Sequence, residues 1–311
     1  AREQFMLNKS SYFTKVTNEF ISTDEIISIK KGPNLELKSG GVTAIFNINR
    51  GTLIRYEKAG DAILNKMPEP YFWRATTDND FGNKMHLVSG AWRSAHTNLE
   101  VVDVKTNPGN DGFTITAKYK IKFSNVNYQV KYTFLKGGAL AVNAEINQLK
   151  EMPELPRFGM RMDLASQFDN LQYYGRGPWE NYSDRKGSAL LGVYQDKPDQ
   201  TYVEYIRPQA NGNRTDTRWI KLTNKQGKGI LIKGLQPLSF SAMPYYDEDF
   251  DPGDTKKNQH INDLVKRDVI SVHVDLLQRG VGGDNSWGRF PHEKYRLISN
   301  SYQYGYVIKP L

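Results

Sequence analysis

Apolar and polar residues alternate along much of this chain. Between 113 and 123 an apolar side chain stands at every second position, with Thr or Lys between. An alternation of period two places one face of a strand in the core and the other in water. The same pattern predicts further strands at 128–135, 140–146, 219–223, 229–232, 269–276 and 303–308.

Turn-forming residues separate these predicted strands. Glycine stands in each of the connecting runs 107–112, 137–138 and 224–227, where it allows tight turns. Helical periodicity is scarce, and 260–266 is the one short candidate. Successive hairpins predict a meander, so we expect an all-β fold built from two large antiparallel sheets packed face to face.

Composition narrows the class of protein. The chain has 311 residues, 38% of them hydrophobic and 12% aromatic, which suits a large β core. It has no run near the ~18 consecutive apolar residues of a membrane helix, so we expect a soluble protein with no membrane partner. The net charge of +8 comes from scattered Lys and Arg, so nucleic acid is not an expected partner.

The chain contains no cysteine, which excludes disulfides, thiolate metal sites and cysteine nucleophiles. This absence leaves both a cytoplasmic and a periplasmic location open. The five histidines show no metal-ligand spacing, so we expect no metal in this chain. His273 lies within a predicted strand and is expected to be a satisfied core or face residue.

The first residues differ from the rest of the chain. They include neither an initiator Met nor a signal-peptide core, so we expect a piece of a longer polypeptide. The range 3–7 resembles a lone strand, and a polar stretch follows to about residue 25. We therefore predict that 1–25 is a remnant of a preceding domain with its linker, and that 26–311 forms one large domain.

Aromatic and charged residues crowd the non-periodic run 71–82. If such a run is buried, its polar groups need a dense hydrogen-bond network. If it is exposed, it needs a binding partner. The favoured interpretation is a network between Arg74 and either Asp78 or Asp80 that locks a loop.

Two other polar segments admit alternative interpretations. The run 173–185 sets aromatic rings beside Arg, Asn and Glu, a combination that suits sugars or a rigid corner between domains. In 207–219, amides and arginines could bind a ligand, although satisfying loop carbonyls is the favoured role.

The glycine-rich run 279–287 carries Trp287 just beyond a flexible polar turn. Its indole belongs either to the core or to a contact surface. Possible carboxylate pairs are Glu180 with Asp184, or Asp247 with Asp249 and Asp251, but nothing in their pattern identifies a proton donor. A complete glycosidase site within this chain is therefore not predicted.

Four of these segments together resemble the C-terminal domain of family 2 β-galactosidases, also called the β-galactosidase small chain. The resemblance rests on the following residues: Phe72-Trp73-Arg74-Ala75-x-Thr77-Asp78-Asn79-Asp80-x-Gly82, Tyr174-Gly175-Arg176-Gly177-Pro178-x-Glu180-Asn181-Tyr182-x-Asp184-Arg185, Asn211-Gly212-x-Arg214 and Gly280-Val281-Gly282-Gly283-Asp284-x-Ser286-Trp287. It extends from about residue 25 to the end. The opening Ala1-x-Glu3-Gln4-Phe5 is also similar to the last strand of the immunoglobulin-like domain that precedes this domain in the family.

The resemblance implies a large antiparallel super-sandwich similar to galactose mutarotases. In the family the catalytic glutamates and the principal magnesium ligands lie in a separate (β/α)₈ barrel. The chain would therefore hold no cofactor itself, and the parent enzyme would bind Mg or Na through other domains. Its partners would be those domains and a β-galactoside, and the parent enzyme could be a homo-oligomer.

The resemblance also implies roles for particular residues. Trp287 would stack on the sugar, and the segment 83–89 matches a mobile loop in position. The implied substrate-binding residues are Trp287, Asp284 and Asn285. The implied mobile-loop and anchor residues are Arg74, Asp78, Asn79, Asp80, Gly82 and Asn83. The implied interdomain or pocket-wall residues are Arg176, Trp179, Glu180, Asn181, Asn211 and Arg214.

Two positions depart from the family pattern. Ala210 stands where Glu is common before Asn-Gly, and Ser183 stands where Pro often precedes Asp-Arg. The loss of a charge at Ala210 puts a network through Asn211 in question.

Two other functions remain open. A free-standing carbohydrate-binding module would use exposed Trp179 and Trp287. An aldose epimerase would need an acid and a base beside the anomeric carbon, for which His96, His273 and Glu180 can be nominated. The family resemblance, in turn, predicts that Trp287 is exposed in this chain or that its loop is disordered, and a Trp287 buried within its own domain would count against a sugar-facing role.

Overall fold

The computed structural model describes residues 3–5, 12–122, 124–255, 259–285 and 287–311. Five strands in chain order form a small meander, each paired antiparallel with the next. They are β1 (Ile27–Lys31), β2 (Asn34–Ser39), β3 (Val42–Asn47), β4 (Thr52–Lys58) and β5 (Asp61–Ala62).

A 12-stranded antiparallel sheet makes up the other layer. Its strands are β6 (Leu64–Tyr71), β7 (Leu99–Pro108), β8 (Gly112–Ile121), β9 (Asn127–Leu135), β10 (Leu140–Asn147), β11 (Arg157–Ala165), β12 (Asn170–Gly177), β13 (Leu190–Asp196), β14 (Arg214–Thr223), β15 (Gly229–Met243), β16 (Val269–Gln278) and β17 (Ser301–Pro310).

The large sheet branches at β15. The first part of β15 pairs with β17, and its last part pairs with β16. One arm then runs through β17 to β10, β9, β8 and β7, while the other runs through β16 to β11 and β6. One long strand therefore belongs to both arms of the sheet.

The helical segments of the described chain are short. The α-helices are α1 (Asp78–Gly82), α2 (Met85–Val88) and α3 (Asp247–Phe250), and the 3-10 turns are Tyr12–Lys15, Asn18–Phe20, Gly90–Trp92, Ala95–Thr97, Leu149–Glu151, Pro198–Gln200, Ile261–Asp263 and Glu293–Tyr295. No helix of the described part is long and apolar enough to cross a membrane.

The two sheets pack face to face over one hydrophobic core, as the alternation predicts. Phe46 of the small sheet lies 5.5 Å from Tyr132 of the large one, measured between ring centroids. The buried Tyr56 hydroxyl crosses the interface and donates to the carbonyl of Gly138. At Gly51, with φ of 68°, a Cβ would overlap Ala117, so the close approach there requires glycine. The two-sheet antiparallel prediction is confirmed.

The predicted strands correspond to β8, β9, β10, β14, β15, β16 and β17; Phe123, at the end of the first range, lies outside the described residues. The helix predicted at 260–266 is wrong. Only Ile261–Asp263 form one 3-10 turn, because Leu264 is already extended and the amide of Arg267 donates to the carbonyl of Pro244. One turn is too short to propagate a helix.

The lone strand predicted at 3–7 is not formed by Glu3–Phe5, and the rest of that range lies outside the described residues. Instead, the side chain of Gln4 pairs with the backbone of β13, since its amide donates to the carbonyl of Leu191 and accepts from the Leu191 amide. Further along, Val16 and Phe20 are buried against the large sheet. The boundary at residue 25 stays a prediction.

Candidate functional site

Four loops of the large sheet meet in space. Segment 72–82 follows β6, segment 178–185 follows β12, segment 202–213 precedes β14 and segment 279–287 follows β16. Hydrogen bonds join each of these loops to another of the four. The structure therefore brings together segments that are up to about two hundred residues apart in sequence.

Asp80 is the centre of a buried ionic network. Its carboxylate accepts from Arg74 Nη1 at 2.6 Å and from Arg279 Nη1 at 2.5 Å. All three side chains are at most 1% exposed. Thr77 caps α1 and also donates its amide to Asp80. The predicted Arg74 network is confirmed with Asp80; Asp78 instead pairs with Arg207 at 3.2 Å.

Arg279 extends this network to residues that sequence analysis missed. Its Nε donates to Glu154 at 3.0 Å, and Glu154 also accepts from Arg296. Arg279 Nη2 donates to the side-chain oxygen of Asn83 at 3.3 Å. Asp80 and Glu154 thus each face two guanidinium groups. This pairing offsets the free-energy cost of burying the charges.

The base of the 279–287 loop is held by contacts with two of the other loops. Arg74 donates to the carbonyl of Gly280 at 3.2 Å, and the side chain of Asn79 donates to the carbonyl of Val281 at 2.9 Å. The amide of Gly282 donates to Asp184 at 2.8 Å. These contacts attach the loop to α1 on one side and to the 178–185 loop on the other.

The far end of this loop touches α1 directly. Gly288 has φ of 93°, and a Cβ there would lie 2.6 Å from the carbonyl oxygen of Gly82. Glycine allows both this left-handed conformation and the close approach. Gly82 and Asn83, expected as loop anchors, are thus both in contact with the Trp287 loop or its support.

Trp287 is 90% exposed at the tip of this loop. Its amide donates to Asn285 Oδ1 at 2.9 Å, while Asp284 pairs with His292 at 2.7 Å in an exposed contact that lowers the pKa of Asp284. The expected exposure of the indole is confirmed; binding of sugar by these three residues stays a prediction. Ser286 lies outside the described residues.

Glu180 joins the 178–185 loop to the 202–213 loop. Its carboxylate accepts from Arg185, from the Tyr205 hydroxyl and, at 2.9 Å, from the amide of Gly212. Asn181 binds backbone on both sides, donating to Trp179 O at 2.9 Å and accepting from the amide of Thr215. These side chains build a rigid corner, and the indole of Trp179, 68% exposed, projects from it.

The other polar residues expected at the pocket wall also satisfy loop backbone. Arg176 donates to the carbonyl of Ala189 and pairs with Asp216. Arg214 donates to the carbonyl of Gly212 at 2.8 Å. Asn211 accepts from the amide of Val203 and donates to its carbonyl, so its network persists beside Ala210.

A second polar cluster is buried beside α3, and the amide of Ala75 connects it to segment 72–82 by donating to Asp247 at 3.3 Å. His273 Nε2 lies 2.8 Å from Asp247 Oδ2, and its Nδ1 lies 2.7 Å from Arg157 Nη1. Because the guanidinium must donate, His273 accepts through Nδ1 and donates from Nε2 to Asp247. Burial lowers the pKa of His273 to about 4, so the ring is neutral. The predicted satisfied core histidine is confirmed.

The nominated acid and base groups are only partly brought together. His96 and His273 each contact the ring of Tyr71, at 5.0 and 5.1 Å between centroids, whereas Glu180 belongs to the corner described above. The cavity beside His273 has a volume of about 10 Å³, room for roughly one water molecule. Asp249 pairs with Arg267, and Asp251 with Arg93. The described residues include no group of three or more acidic or histidine side chains arranged to hold a metal.

Asp275, whose carboxylate lies 3.4 Å from Arg157 Nε, makes the stability of the cluster around His273 depend on pH. Burial raises the pKa of its carboxyl from 3.8 to about 7. Between these values the folded state keeps a proton that the unfolded state has released, so its stabilising contribution is complete below pH 4 and is lost as pH rises through 7. His273 acts in the opposite sense: its contribution is present above pH 6.5 and is lost as pH falls through 4.

We expect the difference in unfolding free energy between Asp275→Asn and the unmodified chain to change by up to about 1.4 kcal/mol per pH unit between pH 4 and 7, in favour of the variant at higher pH. Urea unfolding across this range measures it. The His273 contribution is common to both proteins, so parallel curves would contradict the assignment to Asp275.

The sequence profile described as beta galactosidase small chain matches residues 38–308, and the chain belongs to this family. Similar curated proteins are named beta-galactosidase. The one from Priestia megaterium is 35% identical over 100% of this chain, and the one from Halalkalibacterium halodurans is 31% identical over 85% of it. A third, from Streptococcus thermophilus, is 29% identical over 89% of the chain.

The chain spans less than a third of these proteins, namely 29%, 26% and 27% of their lengths. Solved structures are similar in fold alone. A TPR-domain containing protein from Parabacteroides distasonis shares a TM-score of 0.50 at 10% identity, over 89% of this chain and 46% of that one. A galactose 1-epimerase from Lactobacillus acidophilus has a TM-score of 0.46 at 8% identity, over 93% and 99% of the two chains.

Proposed function

We propose that this chain is the C-terminal domain of a family 2, retaining β-galactosidase and that it completes the substrate pocket on a separate catalytic barrel. The observation that carries the proposal is Trp287, an indole 90% exposed on a loop whose base is held by buried ion pairs. An exposed indole on a rigid support is suited to stack on the apolar face of a sugar. The similarity to proteins named beta-galactosidase supports galactosides as the sugar class.

The hydrogen bonds that Glu180 and Asp184 accept support a non-catalytic role for this chain. Glu180 accepts from three donors, and Asp184 holds the amide of Gly282. Both are therefore engaged in building the loops rather than directed at a substrate. In this proposal the nucleophile, the acid/base and the Mg or Na ligands come from the remainder of the polypeptide.

The segment 83–89 is the proposed moving part of the pocket. Within it α2 buries Met85 and His86 but leaves Leu87 56% and Val88 60% exposed. This apolar surface can be covered when the neighbouring domain packs there. Asn83 connects the segment to Arg279, so its position and that of the Trp287 loop are linked.

Hydrolysis assays on the 311-residue chain test the proposal. We expect no cleavage of a nitrophenyl β-galactoside, because in this proposal the catalytic carboxylates belong to the remainder of the polypeptide. Cleavage at the rate of a complete enzyme would overturn the proposal.

The isolated chain should also bind galactose and lactose no tighter than the millimolar range, because half of the pocket is missing and few contacts offset the cost of association. Titration calorimetry measures this. Micromolar binding that is lost in both Trp179→Ala and Trp287→Ala would instead support a free-standing carbohydrate-binding module. Faster mutarotation of fresh α-galactose, followed by polarimetry, would support the epimerase.

A further inference from the structure

A cleft of about 240 Å³ opens among the four loops. Its lining includes Asp78 and Asn79 of α1, and Arg185 and Tyr205 of two other loops. Gln209 and Val281 also line it, whereas Trp287 does not. The cleft is thus a surface separate from the exposed indole.

The walls of the cleft are held in place before any ligand binds. Glu180, whose side chain is 6% exposed, accepts from both Arg185 and Tyr205. The side-chain amide of Asn79 is likewise fixed by its bond to the carbonyl of Val281. A preformed site avoids most of the ordering cost that weakens binding to flexible loops.

The lining is chemically mixed but has its charges paired. Tyr205 offers an aromatic ring, and Gln209 offers an amide donor and acceptor. Asp78 accepts from Arg207, and Arg185 is paired with Glu180. Ring, amide and paired charges together suit a neutral ligand with several hydroxyl groups and an apolar face.

The size of the cleft limits that ligand. Pockets for drug-sized molecules begin at roughly 300 Å³, and this one is smaller. We propose that the cleft is a binding site for a single neutral pyranose, distinct from the face offered by Trp287. The choice of ligand class rests on the proposed function, whereas the cleft itself is lined by residues of this chain.

A nuclear magnetic resonance titration of the isotope-labelled 311-residue chain with D-galactose tests this proposal. The side-chain amide signals of Asn79 and Gln209 should shift and saturate in the millimolar range. The same shifts should persist in Trp287→Ala, because the indole does not line the cleft.

A matched pair of variants tests whether galactose binds in the cleft. Asp78→Ala removes a cleft carboxylate that is 55% exposed, so the fold should tolerate it. Asp61→Ala removes a carboxylate of β5 that is 60% exposed and pairs with Lys228. We expect Asp78→Ala to weaken binding about tenfold or more, the effect of one lost charged hydrogen bond, and Asp61→Ala to leave the dissociation constant unchanged.

The proposal is overturned if no saturable shift occurs, if only the Trp287 signals move, or if the two Asp variants bind equally. The proposed function is tested separately, by whether the proposed catalytic domains restore hydrolysis, and none of these results changes that outcome. Failure of the cleft and failure of the proposed function therefore remain distinguishable.

Discussion

Replacing Asp80 by Asn should lower the free energy of unfolding by about 3–5 kcal/mol, the usual cost of removing one partner from a buried ion pair. The substitution keeps the shape of the side chain but removes the charge that faces both Arg74 and Arg279. Neither guanidinium can lose its proton to escape the penalty, because arginine remains charged in proteins. Urea unfolding followed by circular dichroism measures the loss.

Asp61→Asn is the matched control. Its carboxylate pairs with Lys228, but both side chains are about 60% exposed, so the expected loss is below about 1 kcal/mol. Equal losses for Asp61→Asn and Asp80→Asn would contradict the view that Asp80 is a buried structural centre. Faster hydrogen exchange at Val281 and Gly282 in Asp80→Asn would show that the loop base has loosened.

Replacing Trp287 by Ala should raise KM for a β-galactoside about tenfold to hundredfold once the proposed catalytic domains are supplied, because an indole contributes a large stacking surface. The unfolding free energy of the chain should change by less than about 0.5 kcal/mol, since the side chain is 90% exposed. A kinetic assay of the reassembled enzyme, together with urea unfolding of the isolated chain, separates the two effects.

Trp179→Ala serves as a comparison with the same change in side chain. Trp179 is 68% exposed on the corner built by Glu180 and Asn181. If it packs between domains, its loss raises the concentration of chain needed for reassembly without changing KM. A large drop in stability of Trp287→Ala, or an unchanged KM, would contradict the sugar-facing role.

Much of the fold follows from local pattern. The alternation in 113–123 and in 128–135 corresponds to β8 and β9 because these strands have one face in the core and the other in water. The branch at β15 does not follow from such a pattern. The sequence of β15 does not indicate that its two ends pair with different strands.

The candidate site likewise has contacts that one sequence segment predicts and contacts that depend on the fold. Arg74 and Asp80 are six residues apart, so their pairing can be inferred from one segment. Arg279 is 199 residues from Asp80, and Glu154 is 125 residues from Arg279, so these contacts depend on how the sheet brings its loops together. The short helix expected at 260–266 failed because tertiary contact with Pro244 outweighed a weak local preference.

The most direct test of the account is reassembly. The 311-residue chain, the remainder of its parent polypeptide and a mixture of the two would each be assayed with a β-galactoside. We predict that neither piece alone hydrolyses it and that the mixture does, with an activity that falls sharply for Trp287→Ala. Full activity of the remainder alone, unchanged when this chain is added, would contradict the claim that this chain completes the galactoside pocket.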